Sequence, residues 1–367
     1  MTQDFLNLPG VRWPLIQAPM AGVSTPELAA TVSESGALGS IAIGAVSAEK
    51  ARELIAQTRE RTARPFNVNA FAHLPEPADP FAEIAWIERL RPWFQEFGAE
   101  PPAELVAPYK SILEDPEKQQ VLLETAPAVV SFHFGLPDSE FVRRLQELGS
   151  VVMACVTTVS EALQAQVTGV DAVVAQGFEA GGHRGNFAPQ EDEQLSTLAL
   201  VPQVVRAINL PVIAAGGVVN GAGMVSALAL GACGVQCGTA FVGCPESSAP
   251  AAYRQMLASE RASRTQVTRA ISGRPARGIR NRFIAETAGE GNRIPGYPKT
   301  YHAGKALAEA AARSGDVEFS AMWAGQAAAL APKGVPAREV VDRFIQEARE
   351  CWRQLSRHPW LPQDQSG

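Results

Sequence analysis

Three stretches of this chain end in glycine beside small or polar residues, and their recurrence points to one shared ligand. The first is VVAQGFEAGGHRG, Val173–Gly185. An apolar run stops at Gln176 and Gly177 and opens into a turn carrying Glu179, Gly181, Gly182, His183, Arg184 and Gly185. Glycines there allow positive φ and let a ligand approach the main chain. Consecutive amides in such a loop can form an anion-binding nest. Pro211–Gly217 (PVIAAGG) and Gly234–Phe241 (GVQCGTAF) repeat the design downstream. Two adjacent glycines alone describe a flexible surface turn equally well. Repetition at three strand ends turns the reading toward function.

Such ends must be positioned by strands, and the chain alternates strands with helices as a parallel sheet requires. Trp13–Ala18 reads as a strand broken by Pro19-Met20-Ala21-Gly22, and Ser24 or Thr25 caps a helix with Pro26 at its first position. Leu38–Ile43, Pro65–Phe71, Ala128–Phe134, Val151–Val156, Ala172–Gln176, Pro211–Ala215 and Gly234–Val242 follow as strands. Helical segments separate them, and the last is Ala249–Ser259. Eight βα units over roughly 250 residues predict an α/β fold, a (β/α)8 TIM barrel. The rival is an open doubly wound sheet, but no G-x-G-x-x-G follows the first strand. His73–Thr125 is too long for a plain βα loop and reads as a helical excursion. The expected organisation is a barrel over residues 1–259 with a helical insertion at 73–125. A smaller, mainly helical substrate-side domain follows at 260–330. Residues 331–367 form a C-terminal helix, Pro336–Gln354, and a tail.

In a barrel the chemistry sits at the C-terminal strand ends, and phosphate sites use the loops after strands seven and eight. Those loops are Gly216-Gly217 and Gly238-Thr239. The mouth would collect Gln17, Ala18, Pro19, Met20, Asn67, Asn69, His133, Gln176, Gly181, Gly217, Gly238 and Thr239. This set has no paired carboxylates, which argues against glycoside hydrolysis. It has no His/Asp/Glu cluster for a metal. No lysine ends a barrel strand, which argues against a Schiff-base aldolase. Neutral amides and a phosphate site suit a planar, phosphorylated heteroaromatic cofactor. FMN fits that description best, with Asn69 and Gln176 on the isoalloxazine edge.

His133 lies between Phe132 and Phe134 and on a strand faces opposite to both. If the phenylalanines pack against helices, His133 turns into the barrel near its mouth. An imidazole there can bond an anion or take a proton at neutral pH. The plain alternative is a satisfied core histidine. His183, in the glycine loop, is the rival candidate, and its alternative is a residue that only covers the cofactor.

The chain is 46% apolar and 19% charged, with a net charge of −6, which argues against general nucleic-acid binding. No secretory signal opens it, and no apolar stretch approaches the roughly 18–20 residues of a membrane span. Cys155, Cys233, Cys237, Cys244 and Cys351 are scattered, as free thiols in a reducing cytoplasm would be. Arg254–Arg282 holds eight arginines and one acidic residue, Glu260. It reads either as a solvated or inter-subunit surface or as a positive field for anionic ligands.

Taken in order, QAPMAGVSTP (Gln17–Pro26), FNVN (Phe66–Asn69), SFHFG (Ser131–Gly135), QGFEAGGHRG (Gln176–Gly185), IAAGG (Ile213–Gly217) and QCGTAF (Gln236–Phe241) resemble the class I nitronate monooxygenases, formerly called 2-nitropropane dioxygenases. The resemblance runs from about residue 13 to WAGQ at Trp323–Gln326. The glycine motifs are shared with flavin-dependent enoyl-ACP reductases and NADH:quinone reductases; SFHFG with the long insertion after FNVN is more specific. The resemblance implies an FMN-containing barrel with a helical domain over its mouth. It implies oxidation of alkyl nitronates, propionate 3-nitronate above all, by dioxygen through a flavin semiquinone. The products are a carbonyl compound and nitrite or nitrate, NAD(P)H is not required, and the role is detoxification. It maps the catalytic histidine onto His133 and flavin contacts onto Met20, Asn69, Gln176, Gly181, Gly217, Gln236, Cys237, Gly238 and Thr239. It places tyrosines on the substrate side, for which Tyr109, Tyr297 and Tyr301 are candidates, with Lys305 for a carboxylate. The expected partners are a small nitronate and dioxygen, with neither nucleic acid nor membrane; the protein is a monomer or homodimer. The alternative is an FMN-dependent NAD(P)H reductase of an enoyl thioester or quinone, with His183 as proton donor. A flavin-binding protein without catalytic activity is a further alternative.

Overall fold

The computed structural model describes residues 5–358. Eight parallel strands close into a barrel, as the alternation predicts. They are β1 (Leu15–Gln17), β2 (Gly39–Ala42), β3 (Phe66–Phe71), β4 (Val129–His133), β5 (Val151–Val156) and β6 (Ala172–Gln176), then β8 (Val212–Ala215) and β9 (Gly234–Cys237); the two-residue β7 (Gly182–His183) lies outside the barrel. The ladder runs β1-β9-β8-β6-β5-β4-β3-β2, and a bridge between Ile16 and Leu38 closes the ring. Closure leaves no exposed strand edge. Side chains alternate along each strand. Val68, Val130, Phe132, Val173, Val235 and Cys237 pack outward against the helices. Ile16, Val129, Met153, Val174 and Ile213 fill the inside.

Helices α1 (Pro26–Glu34) and α2 (Ala48–Arg61) begin at Thr25 and Ser47, whose hydroxyls accept amides of the first turn. The expected insertion divides. Helix α3 (Pro80–Glu96) leaves the barrel, whereas α4 (Pro116–Thr125) returns Val121 and Leu122 to the outer core as the helix of the third unit. Helices α5 (Ser139–Glu147), α6 (Val159–Thr168), α7 (Thr197–Ala207) and α8 (Gly221–Ala229) continue the ring.

The eighth unit departs from the sequence reading twice. Its strand ends at Cys237 rather than Val242, because Gly238 turns the chain and Thr239–Val242 winds into a helical turn, α9. The helix after it, α10 (Ala251–Ala258), does not take the eighth place in the ring. It buries only Tyr253 and Leu257, beside Ile279, Met322 and Ala324. The long helix α13 (Ala337–Ser356) instead packs between α8 and α1, placing Val340, Val341, Phe344 and Ile345 in the outer core. Its twenty residues carry an apolar stripe long enough for that position.

A second core joins two distant segments of sequence. Trp86, Leu90, Trp93 and Phe94 of α3 pack with Phe283 of α11 (Arg282–Glu286), Leu307 and Ala311 of α12 (Thr300–Arg313), and Phe319. This lobe also holds a three-stranded antiparallel sheet of β10 (Thr265–Thr268), β11 (Ala276–Ile279) and β7. Ala276 pairs with His183 and Arg277 with Gly182, so the glycine loop itself supplies an edge strand. Two residues carry no readable period, so sequence patterning predicts a mainly helical domain here and no sheet. The expected tail falls largely on residues 359–367, outside the described residues.

Candidate active site

Strand β4 delivers His133 to the mouth, on the inner face opposite the outward-packed Phe132. The chain then leaves extended geometry, with φ of 76° at Phe134 and 146° at Gly135. Left-handed backbone at a phenylalanine costs about 1–3 kcal/mol, and such strain gathers at functional sites. It also swings Phe134 away from the face that Phe132 occupies, contrary to the expected pairing. The Phe134 ring instead meets Phe71, His73, His133, His183 and Tyr297. The inward placement of His133 therefore follows from Phe132 alone.

The glycine loop is held from inside. Arg184 is fully buried and pairs with Asp192, with Nε–Oδ2 at 2.9 Å. Its Nη1 donates to the carbonyls of Gln176 and Gly177 at 3.0 and 2.9 Å and to Gln176 Oε1 at 3.1 Å. Gly185 N donates to the same Oε1 at 2.8 Å, and Gln176 Nε2 donates to His183 O at 2.9 Å. The acceptor of Gln176 is thus already used, and a hydrogen on Nε2 is what it has left for a ligand. Glu179 accepts the Thr197 amide at 2.8 Å at the start of α7. Gly181 is required by close approach: a Cβ there would lie 2.5 Å from the main chain of Ala324 and Gly325. The WAGQ segment closes on the loop at that point. Gly325 N also donates to Thr239 Oγ1 at 3.1 Å, which ties the segment to the last strand end.

The remaining strand-end residues converge on the same mouth. Ala18 N donates to Cys237 O at 2.8 Å, and Met20 N to Ser24 Oγ at 2.9 Å. Met20 Sδ and Ala18 Cβ both pack against Gly238, and Pro19 is half-buried between them in sequence. Asn69 donates Nδ2 to Ser131 Oγ and O at 3.0 and 3.1 Å. Gln236 is half-buried, whereas the Cys237 side chain lies in the outer core, so only its main chain faces the mouth. Gly216 and Gly217 take φ of 108° and 73°. Among the described residues, no hydrogen bond takes up the amides of Gly216, Gly217, Gly238 or Thr239.

The lobe contributes the opposite wall. Tyr109 and Tyr297 share a hydroxyl hydrogen bond of 2.9 Å. The Tyr297 ring lies 5.8 Å from His183 and 4.8 Å from His73. Tyr301 lies 6.0 Å from His183 and accepts Trp323 Nε1 at 3.3 Å. Lys305 is exposed, its Nζ 5.3 Å from the centre of the Tyr301 ring, so it stands at the rim. Sequence reasoning missed His73, Ser131, Arg274, Trp323 and Ser272, whose hydroxyl lies 2.9 Å from His183 Nε2. Trp323 begins the WAGQ motif and His73 stands two residues past FNVNAF, after Ala72, which were signals available to it; Arg274 was submerged among eight arginines.

Burial governs the ionisation here. His133 is lowered to about 4, chiefly by burial, with Arg274 and Arg184 adding and the His183 carbonyl opposing. Burial, His133 and Arg274 lower His183 to about 3. His73 falls to about 4 through burial, Arg274 and Lys118. Burial pushes the phenols of Tyr109, Tyr297 and Tyr301 up. The site therefore presents neutral imidazoles and protonated phenols at neutral pH. Among the described residues no group of His, Cys, Asp and Glu could hold a metal, and no helix is long and apolar enough to cross a membrane.

A closed barrel with a neutral, glycine-rich mouth under an aromatic lobe defines a (β/α)8-barrel enzyme. A family described as nitronate monooxygenase matches residues 4–347. A nitronate monooxygenase from Pseudomonas aeruginosa is 53% identical over 351 residues, covering 95% of this chain and 100% of that protein. One from Paraburkholderia phytofirmans is 49% identical over 352 residues, covering 95% and 96%. The solved structure of a nitroalkane oxidase from Streptomyces ansochromogenes superposes with a TM-score of 0.86 at 38% identity, covering 95% of this chain and 98% of that one. The chain belongs to the nitronate monooxygenase family and is an oxidoreductase.

Proposed function

We propose that this enzyme oxidises alkyl nitronates, propionate 3-nitronate among them, with dioxygen, using FMN held at the strand ends. The observation that carries the reading is the meeting of His133 and His183 with the Tyr109–Tyr297 pair at a mouth whose glycine-loop amides are unpartnered.

The residues fit FMN. The unpartnered amides of Gly216, Gly217, Gly238 and Thr239 suit its phosphate. Asn69, Gln176 and Gln236 supply neutral polar groups for the ring edge, and Ala18, Pro19 and Met20 supply main chain and a thioether beside them. FMN, when bound, supplies the transfer of electrons between nitronate and dioxygen.

The chain's own residues bind and orient. One of the two phenolic hydrogens of Tyr109 and Tyr297 closes their mutual bond; the other is available to a nitronate oxygen. Neutral imidazoles admit an anion that must be desolvated. With a neutral nitroalkane, His133 removes the α-proton; with preformed nitronate no proton need be removed. Lys305 at the rim suits a substrate carboxylate.

Most of the arginine stretch takes partners within the fold, while Arg264 and Arg280 stay exposed. Arg254 donates to the Ser247 and Ala249 carbonyls, Arg277 to the Phe178 carbonyl, and Arg269 to the Gly273 carbonyl. Arg261 pairs with Glu318, and Arg282 with Glu96 and Glu286.

Anaerobic mixing tests the proposal. Propionate 3-nitronate should bleach the flavin absorbance rapidly, and NADH or NADPH slowly or not at all. Admitting air should consume dioxygen and yield the aldehyde acid with nitrogen oxides, and chromatography should identify the pigment as FMN. Bleaching by NAD(P)H within milliseconds, with no response to the nitronate, sinks the monooxygenase reading and favours a reductase.

A further inference from the structure

Arg274 is buried at 2% exposure, under the wall of the site. Its Nη1 donates to Asn186 O at 2.9 Å and its Nη2 to Phe187 O at 3.2 Å. Its guanidinium carbon lies 4.6 Å from the centre of the Phe134 ring and 5.7 Å from that of Tyr297. The buried cations Arg184 and Lys118 pair with Asp192 and Asp115, whereas buried Arg277 donates its Nε and Nη2 to Phe178 O. Arg274 has no such ion pair among the described residues, and its Nε is buried without a hydrogen-bond partner. A buried guanidinium without a contacting carboxylate costs stability, so its retention needs a reason in the site.

The segment it grips runs over His133. A Cβ on Gly185 would come within 3.0 Å of His133 Cε1 and 2.4 Å of Cys155 Sγ. Two residues earlier, His183 O stands 3.3 Å from His133 Nε2 and 2.9 Å from Gln176 Nε2. A carbonyl only accepts, so the proton of a neutral His133 belongs on Nε2 and the lone pair on Nδ1.

We propose that Arg274 is a positioning residue that fixes His133 as a neutral imidazole, with its proton on Nε2 and its lone pair on Nδ1. It acts in two ways. Its fork on the Asn186 and Phe187 carbonyls holds the segment that presents His183 O. Its charge disfavours a second proton on His133 and on His183. The other groups facing this locus do not cancel that charge by contact. Glu161 on α6 accepts Phe187 N and the Thr157 amide and hydroxyl. Glu76 and Tyr297 act on Arg274 through space, with Arg269 opposing them. Arg184 adds a second cation toward His133 but is paired with Asp192. Cys155 is a thiol that burial keeps protonated. Lys118 acts on His73 from the insertion side.

The test is nitrogen-15 NMR of the histidine rings in the enzyme as purified with its cofactor, with His133→Asn used to assign the signal. Wild-type His133 should show a protonated Nε2 and an unprotonated Nδ1, and should not titrate across neutral pH. In Arg274→Gln its pKa should rise toward the ordinary value, with burial still holding it below, and the tautomer preference should weaken. Arg274→Lys keeps the charge and should restore the low pKa, which a merely structural role would not do. A folded Arg274→Gln with unchanged titration and tautomer overturns the proposal, as does a wild-type proton on Nδ1. If Arg274→Gln fails to fold, Arg274→Lys decides: a titration matching the wild type supports the proposal, and a rise toward the ordinary value overturns it. The reading does not depend on which substrate the enzyme turns over.

Discussion

A histidine lowered to about 4 has no charge to lose between pH 5 and 8, so His133 enters the reaction as a neutral base or hydrogen-bond partner. Replacing it separates the two roles. His133→Asn should lower turnover of a neutral nitroalkane by about 10²–10⁴-fold, the usual span for a general base. Preformed nitronate should suffer less, because no proton must be removed. Steady-state rates with both substrates, compared at one pH, check this. Equal losses would make His133 a ligand for the nitro group, and unchanged rates would return it to the core.

At the scale of elements, the mouth depends on one contact between loop and lobe and on one helix far from the chemistry. Gly181→Ala puts a methyl group against the main chain of Ala324 and Gly325. Neither backbone can yield as a flexible side chain would, so the WAGQ segment must lift. The expected result is weaker flavin retention, read by dialysis and absorbance, at a stability cost of about 1–3 kcal/mol. Full retention would show that the loop tolerates the shift. Helix α13 is tested separately. Phe344 is 1% exposed and packs in the outer core, so Phe344→Ala should cost about 3–5 kcal/mol in chemical denaturation. A change below about 1 kcal/mol would mean that α13 does not hold the eighth position in the ring.

The whole molecule should be acid-sensitive above the usual carboxylate range. His73, His133 and His183 are held near or below 4 in the fold, against about 6.5 in an unfolded chain. As pH falls from 6.5 toward 4, the unfolded state takes up protons that the folded state refuses. Stability therefore declines through that window and is fully present above it. Each group contributes at most about 1.4 kcal/mol per pH unit, less for the half-buried His133 and His183. Denaturant midpoints at pH 7 and pH 5 measure the sum; equal midpoints would show that these rings titrate normally in the folded protein.

What the sequence determined by itself was local and repetitive. Eight strand signals, three glycine-ended strands and the alternation around Phe132 and His133 are short-range patterns, and they sufficed for the barrel, its mouth and the inward face of His133. Tertiary structure decided whatever depends on partners distant in the chain. α3 joins α11 and α12 because its tryptophans need a core that the barrel cannot offer them. α13 rather than α10 completes the ring because only it carries a long enough apolar stripe. Phe134 turns toward the site through a backbone angle that no residue pattern encodes. Arg274 separates from its seven neighbouring arginines only when Asn186, Phe187, Phe134 and Tyr297 come together around it. A strand period or a glycine pair is written in adjacent residues. The surroundings of a buried charge are written only in the fold.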